Sequence, residues 1–213
     1  MASWNVDDIK AILQSIRSAM EKNRDRLIGL DGAMGDGDLG ITMSNAFIAA
    51  DEEAQKSNES DPGKLLMKLG MVMAKAAPST MGTLIGTGFM RGGKAISPAQ
   101  EISLIELAKF FEGFTQGIME RGKSKPGDKT IVDVLFPASQ SLLEAAKNND
   151  SFQDGLMHAF VAAKKGLDES TGMKAQFGRA AYYQEGSIGK QDGGATVGLI
   201  IFEEFYNYTR LRL

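Results

Sequence analysis

Leu30-Asp-Gly-Ala-Met-Gly-Asp-Gly-Asp-Leu-Gly40 sets three carboxylates, Asp31, Asp36 and Asp38, among four glycines. Carboxylates held this close repel one another unless a cation sits among them, and an all-oxygen ligand set suits a hard ion such as Mg²⁺ or Ca²⁺. Counted from Asp36, the fifth position is Gly40 and the twelfth is Phe47, where a helix-loop-helix calcium site needs an oxygen ligand and a closing Glu. That type of calcium loop is excluded. Mg²⁺ uses few carboxylates and fills its other positions with water and phosphate oxygens, so a nucleotide is the expected guest. The pattern from Gly40 to Ala50 reads as a helix, whose first N–H groups, near Gly40, Ile41 and Thr42, suit an anion. The alternative is an ordinary turn whose aspartates cap the next helix.

Helical periodicity brackets the loop on both sides and continues along the chain. Before it, Ile9, Ile12, Leu13, Ile16 and Met20 recur at three-and-four spacing, predicting one amphipathic helix over Val6 to Leu27. After it, the polar run Asp51 to Asp61 reads as a surface connection, Pro62-Gly63 opens a helix, and Pro78 stops it. From Pro78 to Gly93 small residues recur at Gly82, Gly86 and Gly93 on one helical face, where a second helix can approach closely; the Ser79 to Gly82 start can instead lie against a nucleotide. Ser103 and Glu106 form a capping box, with Ile102 and Leu107 as a candidate staple, for a helix running to about Arg121 that buries Leu107, Phe110, Phe111, Phe114 and Ile118.

Gly122 to Lys129 reads as a mobile basic loop, and Thr130 to Lys147 as a helix with Pro137 inside it. Ser151 and Asp154 start another helix, with Leu156, Met157, Phe160 and Val161 on one face. The sole histidine, His158, has no second His or Cys to share a metal and is assigned no chemistry. Thr171 to Gly194 is long and irregular, which in a compact domain marks a functional loop, and it carries Arg179. A lone Arg suits a phosphate or, more commonly, a surface ion pair. Ala195 to Tyr208 reads as a buried helix by its length and terminal position. The sum is an all-α chain of about eight helices with no convincing strand.

Composition narrows the function classes. With 213 residues and 43% hydrophobic content, a single domain spanning 1–213 is expected. A net charge of −3 with scattered Lys and Arg argues against nucleic acid as a partner. There is no cysteine, which removes disulfides and thiolate metal sites. The polar, acidic start Met1-Ala-Ser-Trp-Asn-Val-Asp-Asp lacks secretory features, and no apolar run is long enough to cross a membrane, so a cytoplasmic protein with no membrane partner is expected.

Four segments, in order, carry a resemblance: Leu30 to Gly40, Arg121-Gly-Lys-Ser-Lys-Pro-Gly-Asp-Lys-Thr130 with Asp133, Gly178-Arg-Ala180, and Gly186-Ser-Ile-Gly-Lys-Gln-Asp-Gly-Gly-Ala195. Together they resemble the nucleotide-binding L subunit of dihydroxyacetone kinases over nearly the whole chain. The resemblance implies an antiparallel barrel of eight α-helices with ADP or ATP and two Mg²⁺ ions bound by loops at one end. It implies Asp31, Asp36 and Asp38 as metal ligands, with the backbone of Leu39, Gly40, Ile41 and Thr42 toward the phosphates. Thr80, Met81, Gly122, Ile131, Asp192, Gly193 and Gly194 would surround the nucleotide, and Arg179 would meet a phosphate.

The implied reaction is phosphoryl transfer from Mg-bound nucleotide to a small keto-sugar held by a separate K subunit. The phosphoryl comes either from exchanged ATP or from a phosphoprotein of a phosphotransferase system that recharges bound ADP. Two departures touch the phosphate end: Leu39 stands where many relatives have His, and Pro78-Ser-Thr-Met-Gly-Thr83 replaces a Gly-Gly-x-Ser-Gly-Pro-like segment. Other acceptors (a tetrulose, polyol or fatty acid), a non-catalytic nucleotide-binding adaptor, and a ligand-free helical interaction protein stay open.

Overall fold

A computed structural model describes residues 3–212. Asn5 starts the first helix: its side chain accepts from the N–H groups of Asp7 and Asp8, and Asp8 accepts from the N–H of Asn5 in return. Helix α1 (Val6–Lys22) then buries Ile9, Ile12, Leu13, Ile16 and Met20. The continuous helix expected to Leu27 is broken at Asn23, whose side-chain amide takes the Ala19 carbonyl at 2.9 Å. A side chain that competes for the ladder in this way ends the helix. A short α2 (Arg24–Gly32) follows, so Asp31 stands on a helical turn rather than in the loop proper.

The remaining helices are α3 (Leu39–Lys56), α4 (Pro62–Ala76), α5 (Thr80–Ile96), α6 (Leu104–Gly122), α7 (Val132–Asn148), α8 (Phe152–Thr171) and α9 (Gly193–Arg212). A 3₁₀ segment, Arg179–Ser187, interrupts the long connection before α9. Among the described residues the only strand-like pairing is an isolated bridge between Trp4 and Ile102. The eight long helices form a closed ring, in which α1 packs on α3, each helix from α3 onward packs on the next, and α9 returns to α1. Neighbours run antiparallel. Gly63 meets Gly93 and Gly70 meets Gly86 between α4 and α5, Arg17 meets Asp51 between α1 and α3, and Asp8 meets Tyr208 and Arg212 where the ring closes.

Phenyl rings fill the interior. Phe89 of α5 packs edge-on to Phe114 of α6 with centroids 5.3 Å apart, and Phe111 of α6 stacks on Phe202 of α9 at 4.3 Å. Helices α6 and α9 are not neighbours in the ring, so that contact crosses its centre. Each such aromatic side chain buries upward of about 150 Å² and dominates the apolar stabilisation.

Two other expectations are corrected, and the inner face of α8 is settled. Helix α3 runs on to Lys56, and Asp51, expected on a surface connection, is buried and paired with Arg17 at 3.0 Å. The inner face of α8 is Phe152, Gly155, Leu156, Ala159, Ala163, Gly166 and Leu167, whereas Met157 and Val161 are 37% and 59% exposed. Small residues face inward because α7 lies so close: a Cβ on Gly166 would sit 2.2 Å from the Asp133 carbonyl oxygen. The stretch from Gly122 to Lys129 is tied down rather than mobile, with Ser124, Asp128 and Lys129 buried.

Asp61 joins local capping to the tertiary fold. Its carboxylate accepts from the N–H groups of Gly63 and Lys64 at the start of α4, and from Ser97 Oγ and the Ala99 N–H just beyond α5. Burial by itself would raise its pKa, but these hydrogen bonds outweigh it and hold the group below the ordinary value. A depressed native pKa contributes stability above the unfolded value, near 4, that is lost as pH falls through the native value. Asp61→Ala is expected to cost about 2 kcal/mol at pH 7, roughly half from the lost cap and half from stranded donors. Denaturant titration at pH 7 and again below pH 3 measures it, and the gap between variant and wild type should shrink at the lower pH.

Candidate functional site

Because the ring alternates in direction, α3, α5, α7 and α9 all begin at the same end. The segments that precede them, including the Asp loop and the long 172–192 connection, gather there around one cavity of about 560 Å³. The first residues of these helices, Leu39, Thr80 and Gly193, line it, as does Ile131 just ahead of α7. Helix N-termini carry unpaired N–H groups and partial positive charge, so four of them at one cavity form a strong setting for an anion.

Asp31, Asp36 and Asp38 come together at the rim, each offering a carboxylate oxygen within 4.8 Å of the others. Local geometry folds the loop to this end. The Asp38 N–H donates to Asp31 Oδ2 at 3.0 Å across a turn through Gly37, whose φ of 75° favours glycine. Asp31 also leans over Gly35, where an added Cβ would lie 2.3 Å from its Oδ1. Partial burial, together with the charges of Asp36 and Asp31, pushes the Asp38 carboxyl above its usual range, and only Arg179 opposes the rise. Arg179 Nη2 pairs with Asp36 Oδ2 at 2.8 Å. An all-carboxylate cluster with one ion pair to relieve it fits a hard divalent cation.

The cavity floor is built from α9 and the segment before α7. Asp192 caps α9 by accepting the Ala195 N–H at 2.7 Å. Its carboxyl lies deep, and burial raises its pKa to about 6 against the pull of the Ala195 N–H and Lys129, although the residue as a whole is half-buried. Lys129 is 2% exposed, and its ammonium donates to the carbonyls of Ser170 and Thr171 at 3.0 and 3.1 Å. Desolvation lowers the Lys129 pKa, while Asp192 and Asp133 oppose the change. Asp133 shapes the approach to α7 by accepting the N–H groups of Gly127 and Thr130 at 2.6 and 2.7 Å.

Chain contacts give the cavity a direction. Gly193 packs on Leu39 beside Leu30 and Asp31, Gly194 packs on Met81 and Ile131, and Leu84, one turn along α5 from Met81, touches the region of Gly122 and Ser124. The acidic cluster thus lies beside Leu30, Leu39 and Gly193, while Met81, Leu84 and Ile131 give an apolar wall that also carries Ser124 and Asp192.

Of the residues named from sequence, Asp31, Asp36, Asp38, Leu39, Thr80, Met81, Gly122, Ile131, Arg179, Asp192, Gly193 and Gly194 all line this cavity. Gly40, Ile41 and Thr42 do not. Gly40 is spent on packing, since a Cβ there would fall 2.1 Å from the Arg24 carbonyl oxygen of α2; Ile41 is exposed and Thr42 is buried. Sequence reading left out Gly35, Ser124, Lys129, Thr130 and Phe177 from the lining. For Thr130 a signal existed: Thr130-x-x-Asp133 ahead of an apolar run has the form of a helix start.

Residues 33–207 match the family model described as the DAK2 domain. The chain is 36% identical over 170 residues, covering 80% of it and 81% of the relative, to the ADP-binding subunit DhaL of the PEP-dependent dihydroxyacetone kinase of Escherichia coli (strain K12). It is 30% identical over 189 residues, 88% of this chain but 32% of the relative, to the L-erythrulose kinase of Pectobacterium atrosepticum. Its fold is shared with the crystal structure of the dihydroxyacetone kinase from C. freundii in complex with AMP-PNP and Mg²⁺, at a TM-score of 0.71 and 21% identity, covering 93% of this chain and 33% of that one. The family model takes in Asp36 and Asp38 of the Asp loop, the Gly122 to Asp133 segment and the Arg179 to Gly194 segment in a single match, and on that match this chain belongs to the DAK2-domain family.

Proposed function

We propose that this chain, acting as one unit over 1–213, is the nucleotide-binding subunit of a dihydroxyacetone-type kinase. It transfers a phosphoryl group from Mg-bound nucleotide to a small keto-sugar held by a separate K subunit. The observation that carries the reading is the convergence of three carboxylates, within 4.8 Å of one another, on a cavity ringed by helix N-termini. Anionic ligands for a cation and cationic backbone for an anion stand side by side, which is the pairing a metal-bound polyphosphate needs.

In this reading Asp31, Asp36 and Asp38 hold the magnesium, two ions by the family pattern, whose role when bound is to neutralise charge on the phosphates. Leu39, Thr80 and Gly193, the first residues of α3, α5 and α9 on the cavity wall, would offer their N–H groups to phosphate oxygens. Arg179 stands beside the acidic rim, where a guanidinium can fork onto a phosphate. Met81, Leu84 and Ile131 supply an apolar wall for the base. The residues thus bind and orient, which is most of what phosphoryl transfer asks of a protein.

Bound ADP recharged by a phosphoprotein of a phosphotransferase system is the donor arrangement we favour. Its support is the 36% identity to a subunit named as ADP-binding in a PEP-dependent kinase. The test is to denature purified protein, identify any released nucleotide by chromatography, and titrate the emptied protein with ADP and ATP, with and without Mg²⁺. Retained ADP and Mg²⁺-dependent rebinding are expected. An empty protein exchanging ATP freely would replace the donor, and no binding of either nucleotide would overturn the function.

A further inference from the structure

The Gly127-Asp-Lys-Thr-Ile-Val-Asp133 segment contributes Lys129, a fully buried cation to which the proposed chemistry assigns no task. Desolvating an ammonium is costly, and packing alone would be served by an apolar side chain of the same length. What the ammonium holds is specific. Ser170 and Thr171 are the last residues of α8, and their carbonyls are the negative end of that helix. Immediately beyond them the chain leaves as the strap that carries Phe177 and Arg179 over the cavity mouth.

The same place fastens the far end of the strap. The Gly189 N–H donates to the Thr171 carbonyl at 2.8 Å, so one carbonyl oxygen accepts from both Gly189 and Lys129. The residue preceding Lys129 takes part as well, since the Gln176 N–H donates to the Asp128 carbonyl at 3.1 Å. Within the strap, the Ala175 N–H donates to Ser187 Oγ at 3.0 Å and Lys174 pairs with Glu185 at the same distance, so its two limbs are joined to each other. From this base the strap reaches across to the Asp loop through Arg179 and Asp36.

We propose that Lys129 is a positioning residue, its ammonium clamping both ends of the 171–189 strap so that Arg179 is delivered to the acidic rim of the cavity. The proposal deepens the nucleotide-site reading and rests on it for its binding arm. An ammonium can donate to two carbonyls at once from a short, buried reach, and losing it frees α8's end and the strap together.

Three variants, Lys129→Met, Lys129→Gln and Arg179→Ala, with the double variant Lys129→Met/Arg179→Ala, test this by two readouts. In nucleotide-free protein, NMR hydrogen exchange at the Gln176 and Gly189 amides should quicken at least about tenfold in Lys129→Met, with core amides of α5 and α6 unchanged. In calorimetric titration with ADP and Mg²⁺, affinity should fall roughly tenfold, the scale for losing an outer-shell support, and adding Arg179→Ala should cost little more than either change alone. Lys129→Gln, which keeps a neutral donor, should recover part of both effects. Unchanged strap exchange, or losses from Lys129→Met and Arg179→Ala that multiply independently, would overturn the proposal. So would global unfolding of both Lys129→Met and Lys129→Gln, which would make Lys129 a core residue. Wild-type protein that binds no nucleotide would sink the functional reading instead, and the ligand-free exchange measurement would still decide the clamp.

Discussion

Asp36→Ala is expected to abolish Mg²⁺-dependent ADP binding while leaving the helix content of the protein unchanged. Asp36 is one of three carboxylates in the rim cluster, and its side chain is about half exposed, in contact with Arg179 rather than with the core. Removing a direct ligand should exceed the ~10–100-fold typical of losing an outer-shell partner, so a drop of more than about 100-fold is expected. Stability should hold or rise slightly without metal, because one of three mutually repelling charges is gone and an exposed ion pair contributes at most about 1 kcal/mol. Calorimetric titration with and without Mg²⁺ measures the first effect and far-UV circular dichroism with thermal melting the second. Unchanged ADP affinity in the variant would remove the metal assignment.

Gly86→Val should be strongly damaging to the fold. A Cβ on Gly86 would meet the Gly70 carbonyl oxygen at 2.6 Å, and one on Gly70 would meet the Gly86 carbonyl oxygen at 2.5 Å. Gly63 and Gly93 repeat the arrangement further along the same pair of helices. The obstacle is backbone on both sides, so no rotamer change relieves it. An exposed mid-helix glycine replaced by a better helix former would gain up to about 1 kcal/mol. Here the helices must separate, and overpacking of this kind costs about 3 kcal/mol or more. For a chain of this size that corresponds to a loss of roughly 6–12 °C in Tm. Since Thr80, Met81 and Leu84 at the start of α5 line the cavity, ADP affinity should fall with stability. A variant melting with the wild type would show that α4 and α5 are not packed at this distance.

How far the fold and site were legible in the sequence follows the range over which each signal acts. The start of α6 was readable because Ser103 and Glu106 satisfy each other's neighbouring N–H groups within one turn, whatever the rest of the chain does. The Asp loop was readable because its three carboxylates lie within eight residues of one another, so spacing by itself forces them close. The inward face of α8 does not follow from apolar size, a poor guide where helices nearly touch: Gly155, Ala159, Ala163 and Gly166 turn inward while Met157 and Val161 stay outside. Asn23 as a break in the first helix, and Lys129 as a buried cation, depend on partners that a periodicity count does not see.

By itself, then, the sequence determined the all-α class, most helix starts and the acidic loop, since capping, proline placement and charge spacing are decided within a few residues. Only the tertiary structure decided that Asp31, Thr80, Ile131, Arg179 and Gly193 share one cavity, that Gly40 serves packing rather than the cavity lining, and that Lys129 holds α8 to the strap. Those outcomes follow from closing an even ring of antiparallel helices, which puts every second helix start at one end and joins residues that no local rule relates.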